Sequence, residues 1–508
     1  MAAVAPATSP RPQKLRVGVF ADSPLQPRWL VEAFAKVAAC DFAEIALIAT
    51  DNAPRAEPPW WRRLYGALDR AAFGVAADRE EGIDLARYVA HRHFQRAFDA
   101  AACLALDLDV AFALGDYDDA RLDGIARAGV WRFCFADGEA LSGSGLTARL
   151  AAGGTPRLAY QSWSRTYALS AARNREQIFA RTAEFALRAL RELDRSGSGW
   201  LEQCPPANGF SNDVSHGNPR RILRSLARHG VQKALHVEQW SLAFRFGAAQ
   251  TSASDLAGYV RLVPTKARDW WADPFALEKN GRYYLFFEEL PYATRKAHIA
   301  MTEVQPNGSW SAPVRVLERD YHLSYPFLLE HEGALYMIPE TSHNGTVELY
   351  RCVDFPRRWK LERVLLEGVR LVDATLHSGA GYWWMFANGT TSRVFNDELH
   401  LFYADRLLGE WRPHPRNPVK SDARCARPAG RLYWRNGALH RPAQICVPRY
   451  GAGLSINRVL QLTPQAYAER QVERLLPDPG KGILGLHTLN RAGPLTVLDA
   501  LTRRSRFA

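Results

Sequence analysis

The chain has 508 residues, 47% of them hydrophobic and 23% charged, with a formal net charge of +12. That composition excludes a disordered, collagen-like or coiled-coil chain, and no run of eighteen apolar residues offers a membrane span. The positive charge is almost all arginine, 56 Arg against 9 Lys, and it is dispersed along the chain. Dispersal argues against nucleic acid as the partner and suits a grip on acidic or phosphorylated sugars.

The opening residues MAAVAPATSPRPQ read as a loose tail, not a secretory signal. Residues 14–195 then alternate strand and helix patterns. LRVGVFAD opens a strand, PRWLVEAFAKVAAC has helical spacing, and AEIALIAT, LDVAFALG and VWRFCF are apolar runs of strand length. GIDLARYVAHRHFQRAFDAA reads as a helix between them. A last helix over 175–194 places Phe179, Ala183, Ala186, Leu190 and Leu193 on one face. Apolar strands separated by helices predict a doubly wound parallel α/β domain. PPWWRRLYGALDRAAF, with Trp60, Trp61, Arg62 and Arg63, suits a lid or docking helix, or a helix lying on a membrane surface.

Residues 196–238 change character. The Gly, Ser, Pro and Asn of SGSGWLEQCPPANGFSNDVSHGNP predict a linker, and RRILRSLARHGVQKAL a short basic helix. Cysteines at 40, 103, 134, 204, 352, 425 and 446 lack CxxC spacing. Neither a disulfide framework nor a zinc site is expected, and a reducing, cytoplasmic setting fits.

Residues 239–502 read as β and repeat. Trp310, Trp359 and Trp411 stand 49 and 52 residues apart, and Gly281, Gly333, Gly381 and Gly437 stand 52, 48 and 56 apart. Each glycine opens an aromatic strand, as in KNGRYYLFF and GAGYWWMFA. A period near fifty is that of a four-stranded propeller blade. Four blades are visible. A fifth joins EQWSLAFRFG to the C-terminal GILGLHTLN and LTVLDAL, pairing both chain ends and leaving no open edge. The three tryptophans are expected to pack between blades.

Aligning the blades on their glycines locates a site. Seven residues after them stand Glu288, Glu340, Asn388 and Gln444. Eight residues before them stand Asp273, Tyr325 and Asp373, with Ala429 in the fourth blade. Repeated polar residues at strand ends form a ring about the propeller axis. Carboxylates and amides bordered by Trp270, Trp271, Trp383 and Trp384 suit a sugar, whose hydroxyls need donors and acceptors and whose faces stack on aromatics. The same residues also suit turns and inter-blade hydrogen bonds.

WWADPFALEKNGRYYLFFEE, HLSYPFLLEHEGALYMIPETS, VDATL, RPAQICVPRYGAGLSINRVLQLTP and GLHTLN together resemble bacterial relatives of the N-terminal domain of plant glucosamine inositolphosphorylceramide transferases. The resemblance implies a five-bladed propeller related to arabinanases and xylosidases. It implies Asp273 as general base and Asp373 as a residue that tunes the acid. The fourth-blade segment where those glycosidases carry their acid reads ARPAGRL, without a Glu, which leaves Glu288 and Glu340 as acids. Trp271, His298, Tyr325, Asn388, Arg441, Gln444 and His487 complete the candidate substrate-binding set. More weakly, GVWRFCFADG resembles formyltransferase-like domains. The places of their Asn and His hold Arg132 and Cys134, and Asp137 follows, so the domain is expected to be a degenerate member.

The expected function is a carbohydrate-active protein that binds, or also processes, a glycan, sugar phosphate or glycolipid head group. Two alternatives are a non-catalytic sugar-recognition scaffold and formyl-type transfer to an amino sugar by the N-terminal half. No GxGxxG, P-loop, HExxH or GxSxG occurs, and no cofactor or metal is implied.

Overall fold

The computed structural model describes residues 14–51, 59–75, 79–136, 142–211, 224, 227, 230–247, 256–266, 269–389 and 397–506. The chain forms two compact units, one within residues 1–162 and 170–218, the other within 163–169 and 219–508.

The first unit is an α/β domain. Its sheet runs His93–Gln95, Ala43–Thr50, Leu15–Ala21, Val110–Leu114, Val130–Ala136, Gly143–Arg149, Arg157–Trp163. The first five strands are parallel, and Gly143–Arg149 returns antiparallel. One face packs on the helices Arg28–Ala38, Ala171–Thr182 and Phe185–Ser196 through Val17, Val19, Phe34, Phe179 and Leu190. The other face packs Phe20, Leu47 and Ala113 against Cys103 and Leu122. Apolar strands buried on both sides are what the sequence pattern implied.

Three local expectations are corrected. GIDLARYVAHRHFQRAFDAA is not one helix. It gives the short strand Gly82–Asp84, one turn at Leu85–Tyr88, the edge strand His93–Gln95 and the helix Ala100–Ala105. Only Leu85 and Val89 of its first half are buried, too narrow an apolar stripe to hold a long helix. The expected 175–194 helix is two, broken at Ala183 and Glu184. The early part of the expected linker is structured, as the helix Gly199–Gln203 and the strand Phe210–Ser211 paired to Val130–Ala136. Of the expected 220–235 helix, only residues 224, 227 and 230–235 are described, and these are helical.

The second unit is a five-bladed β-propeller. Blade one is Trp270–Lys279, Arg282–Leu290, His298–Val304 and Val314–Leu317. Blade two is Ser324–His331, Ala334–Thr341, Thr346–Asp354 and Arg358–Glu367. Blade three is Val372–Gly379, Tyr382–Gly389, Glu398–Ala404 and Arg412–Pro413. Blade four is Tyr433–Arg435, Ala438–Ile445, Gly453–Leu462 and Tyr467–Leu475. In blade five the C-terminal Ile483–Gly485 and Leu489–Ala492 lie along Leu495–Ser505, which pairs over its full length with His236–Phe246, followed by Val260–Leu262. The two ends of the repeat thus share one sheet, as the sequence pattern suggested.

The repeat glycines have a single cause. In the first four blades the hairpin turn is Asn280-Gly281, Glu332-Gly333, Ala380-Gly381 or Asn436-Gly437, and both residues have positive φ. That is the two-residue turn whose twist matches antiparallel strands, and it selects Gly at the second place. Of the repeat tryptophans, Trp359 and Trp411 are buried, whereas Trp310 is 39% exposed and lies edge-on to Trp271.

Candidate functional site

The inner strands of blades one to three share one irregularity. Their pairing slips between Ala272 and Phe275, between Ser324 and Phe327, and between Val372 and Thr375. The extra residue begins with Asp273, Tyr325 or Asp373, with φ of 51°, 44° and 57°. Left-handed backbone costs a non-glycine residue about 1–3 kcal/mol and persists where the surroundings impose it, often at functional sites. The bulges lie at the end of each blade opposite the Gly turns.

Blade five supplies the charge beneath the first bulge. Its inner strand breaks at His487 and Thr488, and Asp499 caps the break. The Asp499 carboxylate accepts from the backbone N–H of His487 (3.0 Å), Thr488 (2.9 Å) and Asp273 (3.0 Å). His487 lies between two carboxylates, with Nδ1 2.8 Å from Asp499 and Nε2 3.2 Å from Asp273 Oδ1. Burial opposes its charge, but Asp499 and then Asp273 raise the imidazole to about 10. Asp273 Oδ1 also accepts from Thr488 Oγ1 at 2.7 Å. Burial works to raise Asp273, and His487 and Thr488 outweigh it, holding the carboxylate below its ordinary range. Both of these contacts use Oδ1; Oδ2 carries no hydrogen bond to the described residues. Asp273, His487 and Asp499 hold ligand atoms within 4.8 Å of one another. A cation there would have to displace the proton on an imidazole already flanked by two carboxylates.

Glu288 faces Ala272 across the hairpin, one residue from Asp273. Its Oε1 lies 3.3 Å from His322 Nε2. Burial raises Glu288; His322 opposes, and Asp273 adds to the rise. Two neighbouring carboxyls are thereby driven apart, Asp273 toward the anion and Glu288 toward the acid. Such a split is how sites assign acid and base roles.

Asp373 is held differently. Arg427 donates to it through Nε at 2.5 Å and through a second nitrogen at 3.3 Å, and Gln444 Nε2 donates at 3.0 Å. Burial pushes Asp373 up, to about 7, with Arg427 opposing. The Arg427 guanidinium lies 4.9 Å from the Tyr450 ring centroid, and Tyr450 and Trp240 pack on the His487 ring.

The other candidates occupy stated places. Glu340 accepts from Ser324 Oγ at 2.9 Å and from Ser342 Oγ. Tyr325 is fully buried; its hydroxyl accepts from Gly430 N at 2.7 Å and shares a hydrogen bond with Thr375 Oγ1 at 2.8 Å, tying three blades together. Asn388 is buried and donates to Glu398 O at 2.7 Å, and its Oδ1 is buried without a partner among the described residues. Trp271 and His298 both bond to Glu289, at 3.0 and 2.8 Å. Arg441 lies apart, its guanidinium clasping Glu469 beside Lys420. Trp383 and Trp384 adjoin the Gly381 turn, the opposite end from Asn388, so they do not border the site; Trp270 and Trp271 stand at the correct end.

Sequence reasoning missed Arg427, Tyr450, Thr488, Asp499 and His322. Arg427 was hidden by a slip. Gln444 N donates to Arg427 O at 2.8 Å and Pro428 bridges Ala443, so Arg427, not Ala429, faces the ring residue. The fourth inner strand holds one more extra residue than the others, which defeats a fixed offset from the glycine.

Residues 261–492 match the family model "Glucosamine inositolphosphorylceramide transferase 1, N-terminal". The Arabidopsis thaliana glucosamine inositolphosphorylceramide transferase 1 is 34% identical over 216 residues, 42% of this chain and 28% of that protein. The Oryza sativa subsp. japonica protein of the same name is 35% identical, over 42% and 29%. This chain therefore spans under a third of the length of these curated relatives. Among solved structures, the catalytic domain of the Coprinopsis cinerea GH62 alpha-L-arabinofuranosidase is 11% identical, covering 54% of this chain and 98% of that one, with a TM-score of 0.37. An exo-1,5-alpha-L-arabinanase from a bovine ruminal metagenomic library is 15% identical, covering 46% and 92%, with a TM-score of 0.34. No helix among the described residues is long and apolar enough to cross a membrane.

Proposed function

We propose that the propeller binds a glycan or glycoconjugate at the bulged ends of its inner strands and processes a glycosidic linkage there. The observation that carries this reading is the opposed displacement of Asp273 and Glu288, neighbours across one hairpin. In hydrolysis, Glu288 gives its proton to the glycosidic oxygen as the bond from that oxygen to the anomeric carbon breaks. Asp273 takes a proton from the attacking water, whose oxygen bonds the same carbon. Asp373, clasped by Arg427 and Gln444, orients the sugar. The matched relatives, named for glucosamine and inositolphosphorylceramide, are consistent with a sugar-bearing ligand.

The test is binding and turnover of a glycan panel by wild type, Asp273→Asn and Glu288→Gln. Loss of turnover in both variants, with sugar binding kept in Glu288→Gln, supports the assignment. Normal turnover in either removes that residue from its role.

A recognition-only propeller is the second reading, favoured by the Arg427–Asp373 pair, which fills the fourth blade's share of the site with a cation instead of an acid. It predicts sugar binding without turnover. Formyl-type transfer by the first unit is the weakest reading. Arg132 donates to the backbone carbonyls of Gly115 and Tyr117. Burial raises the Cys134 thiol to about 12, so it supplies no thiolate nucleophile. Asp137 lies outside the described residues.

A further inference from the structure

We infer that Arg165 is an oxyanion-binding residue at the rim of the propeller site, taking a phosphoryl or carboxylate group on the ligand's sugar. The inference deepens the glycan-binding reading and rests on it. The second unit includes Trp163–Leu169, and this segment is fixed to the rim of blade four. Thr166 donates to Pro448 O through its N–H at 3.1 Å and its Oγ1 at 3.0 Å, and Ala423 N donates to Trp163 O at 2.8 Å. Pro448 lies four residues beyond Gln444, whose amide touches Asp373.

On this anchored segment Arg165 forms no hydrogen bond or ion pair with the described residues. Its Nε is buried without a partner among the described residues, and its guanidinium lies 4.9 Å from the Tyr167 ring centroid. A planar guanidinium backed by a ring and stripped of acceptors presents its donors to a planar or tetrahedral oxyanion. Arg165 and Arg427 both act on the Cys446 thiol, opposing the rise that burial causes. Cys446 Sγ in turn lies 3.9 Å from Gln444 Oε1. Both arginines therefore lie near Cys446, on the Gln444 side of the site. Arg427 is neutralised by Asp373; Arg165 has no such counter-charge among the described residues. An anionic ligand group supplies it, while the carboxylates deeper in the site meet sugar hydroxyls.

The experiment is calorimetry on the full chain with a neutral hexose, its phosphate ester, the matching uronic acid and inorganic phosphate. Wild type is compared with Arg165→Ala and Arg165→Lys. The expected result is that the phosphate ester or the uronic acid binds more tightly than the neutral sugar, and whichever gains more identifies the group. Arg165→Ala removes that gain, roughly ten- to a hundred-fold, and leaves neutral-sugar binding unchanged, while Arg165→Lys keeps part of it. An anionic gain that survives Arg165→Ala, or an equal loss for the neutral sugar, overturns the inference and leaves the glycan reading standing. If no neutral sugar binds, the glycan reading fails, and inorganic phosphate decides the inference alone. Binding that needs Arg165 supports it; its absence refutes it.

Discussion

His487→Gln tests the charged clamp beneath the site. In the native protein the imidazolium is clamped between Asp273 and Asp499, which raise it to about 10 against burial, from about 6.5 for an unperturbed histidine. A raised pKa means that folding favours the protonated form. The stabilisation is complete below about pH 6.5, declines above it, and is gone as pH passes about 10. The displacement of 6.5 to about 10 converts to nearly 5 kcal/mol at about 1.36 kcal/mol per unit. Breaking a buried pair by removing one partner costs a similar ~3–5 kcal/mol, because the abandoned carboxylates stay buried. The assay is the thermal transition of wild type and His487→Gln at pH 6, 8 and 10. The variant should melt well below wild type at pH 6, and the gap should narrow steadily toward pH 10. A gap that is constant across this range would refute the charged clamp and leave His487 as a neutral packing residue.

Other expectations follow from the same contacts. Glu469→Gln should destabilise by about 3 kcal/mol, because Glu469 is held down at about 2 by Arg441 and Lys420 against burial. Its stabilisation is present above about pH 4.5 and lost as pH falls through about 2, so acid unfolding should begin at higher pH in the variant, as followed by circular dichroism. Gly437→Val should cost about 1–3 kcal/mol, because φ there is 69° and a β-branched residue is strained in left-handed backbone; denaturant melts will report it. Arg427→Met should leave Asp373 and Gln444 without their cation. It should lower stability by about 3–5 kcal/mol and shift the upper pH limit of sugar binding, which a binding titration against pH will show.

The blade period was legible because one physical requirement recurs. A two-residue turn with positive φ needs glycine at its second place, and four blades place it near the same spacing. The fifth blade carries no such marker, since its sheet is assembled from both ends of the repeat; only the edge-strand argument foretold it. The ring residues were legible as positions, but their partners were not. Nothing in the local sequence of His487 announces that Asp499, in the next strand, and Asp273, more than two hundred residues earlier, close on it. Arg427 escaped because two extra residues in the fourth inner strand, in place of one, shifted the register. The Trp383–Trp384 pair misled because proximity in the repeat was read without direction: it adjoins the turn, and the site lies at the other end of the strand.

The arrangement also bears on why strain sits where it does. Asp273, Tyr325 and Asp373 are the same bulge in three successive blades, yet the three side chains serve different ends. Tyr325 spends its hydroxyl holding Gly430 and Thr375 at the axis. Asp373 is neutralised by Arg427. Of the three, Asp273 keeps a carboxylate oxygen without a hydrogen bond from the described residues, and it is the one supported from beneath by a charged histidine. A symmetric scaffold has thus been made asymmetric by its partners, not by its backbone. Asp273→Asn should abolish turnover while the thermal transition falls by only a few degrees, because the bulge is held by the Asp499 bond to the backbone N–H of residue 273, which the substitution leaves intact. Wholesale unfolding of Asp273→Asn, measured by circular dichroism, would show that the carboxylate holds the blades together and would return the site to a structural role.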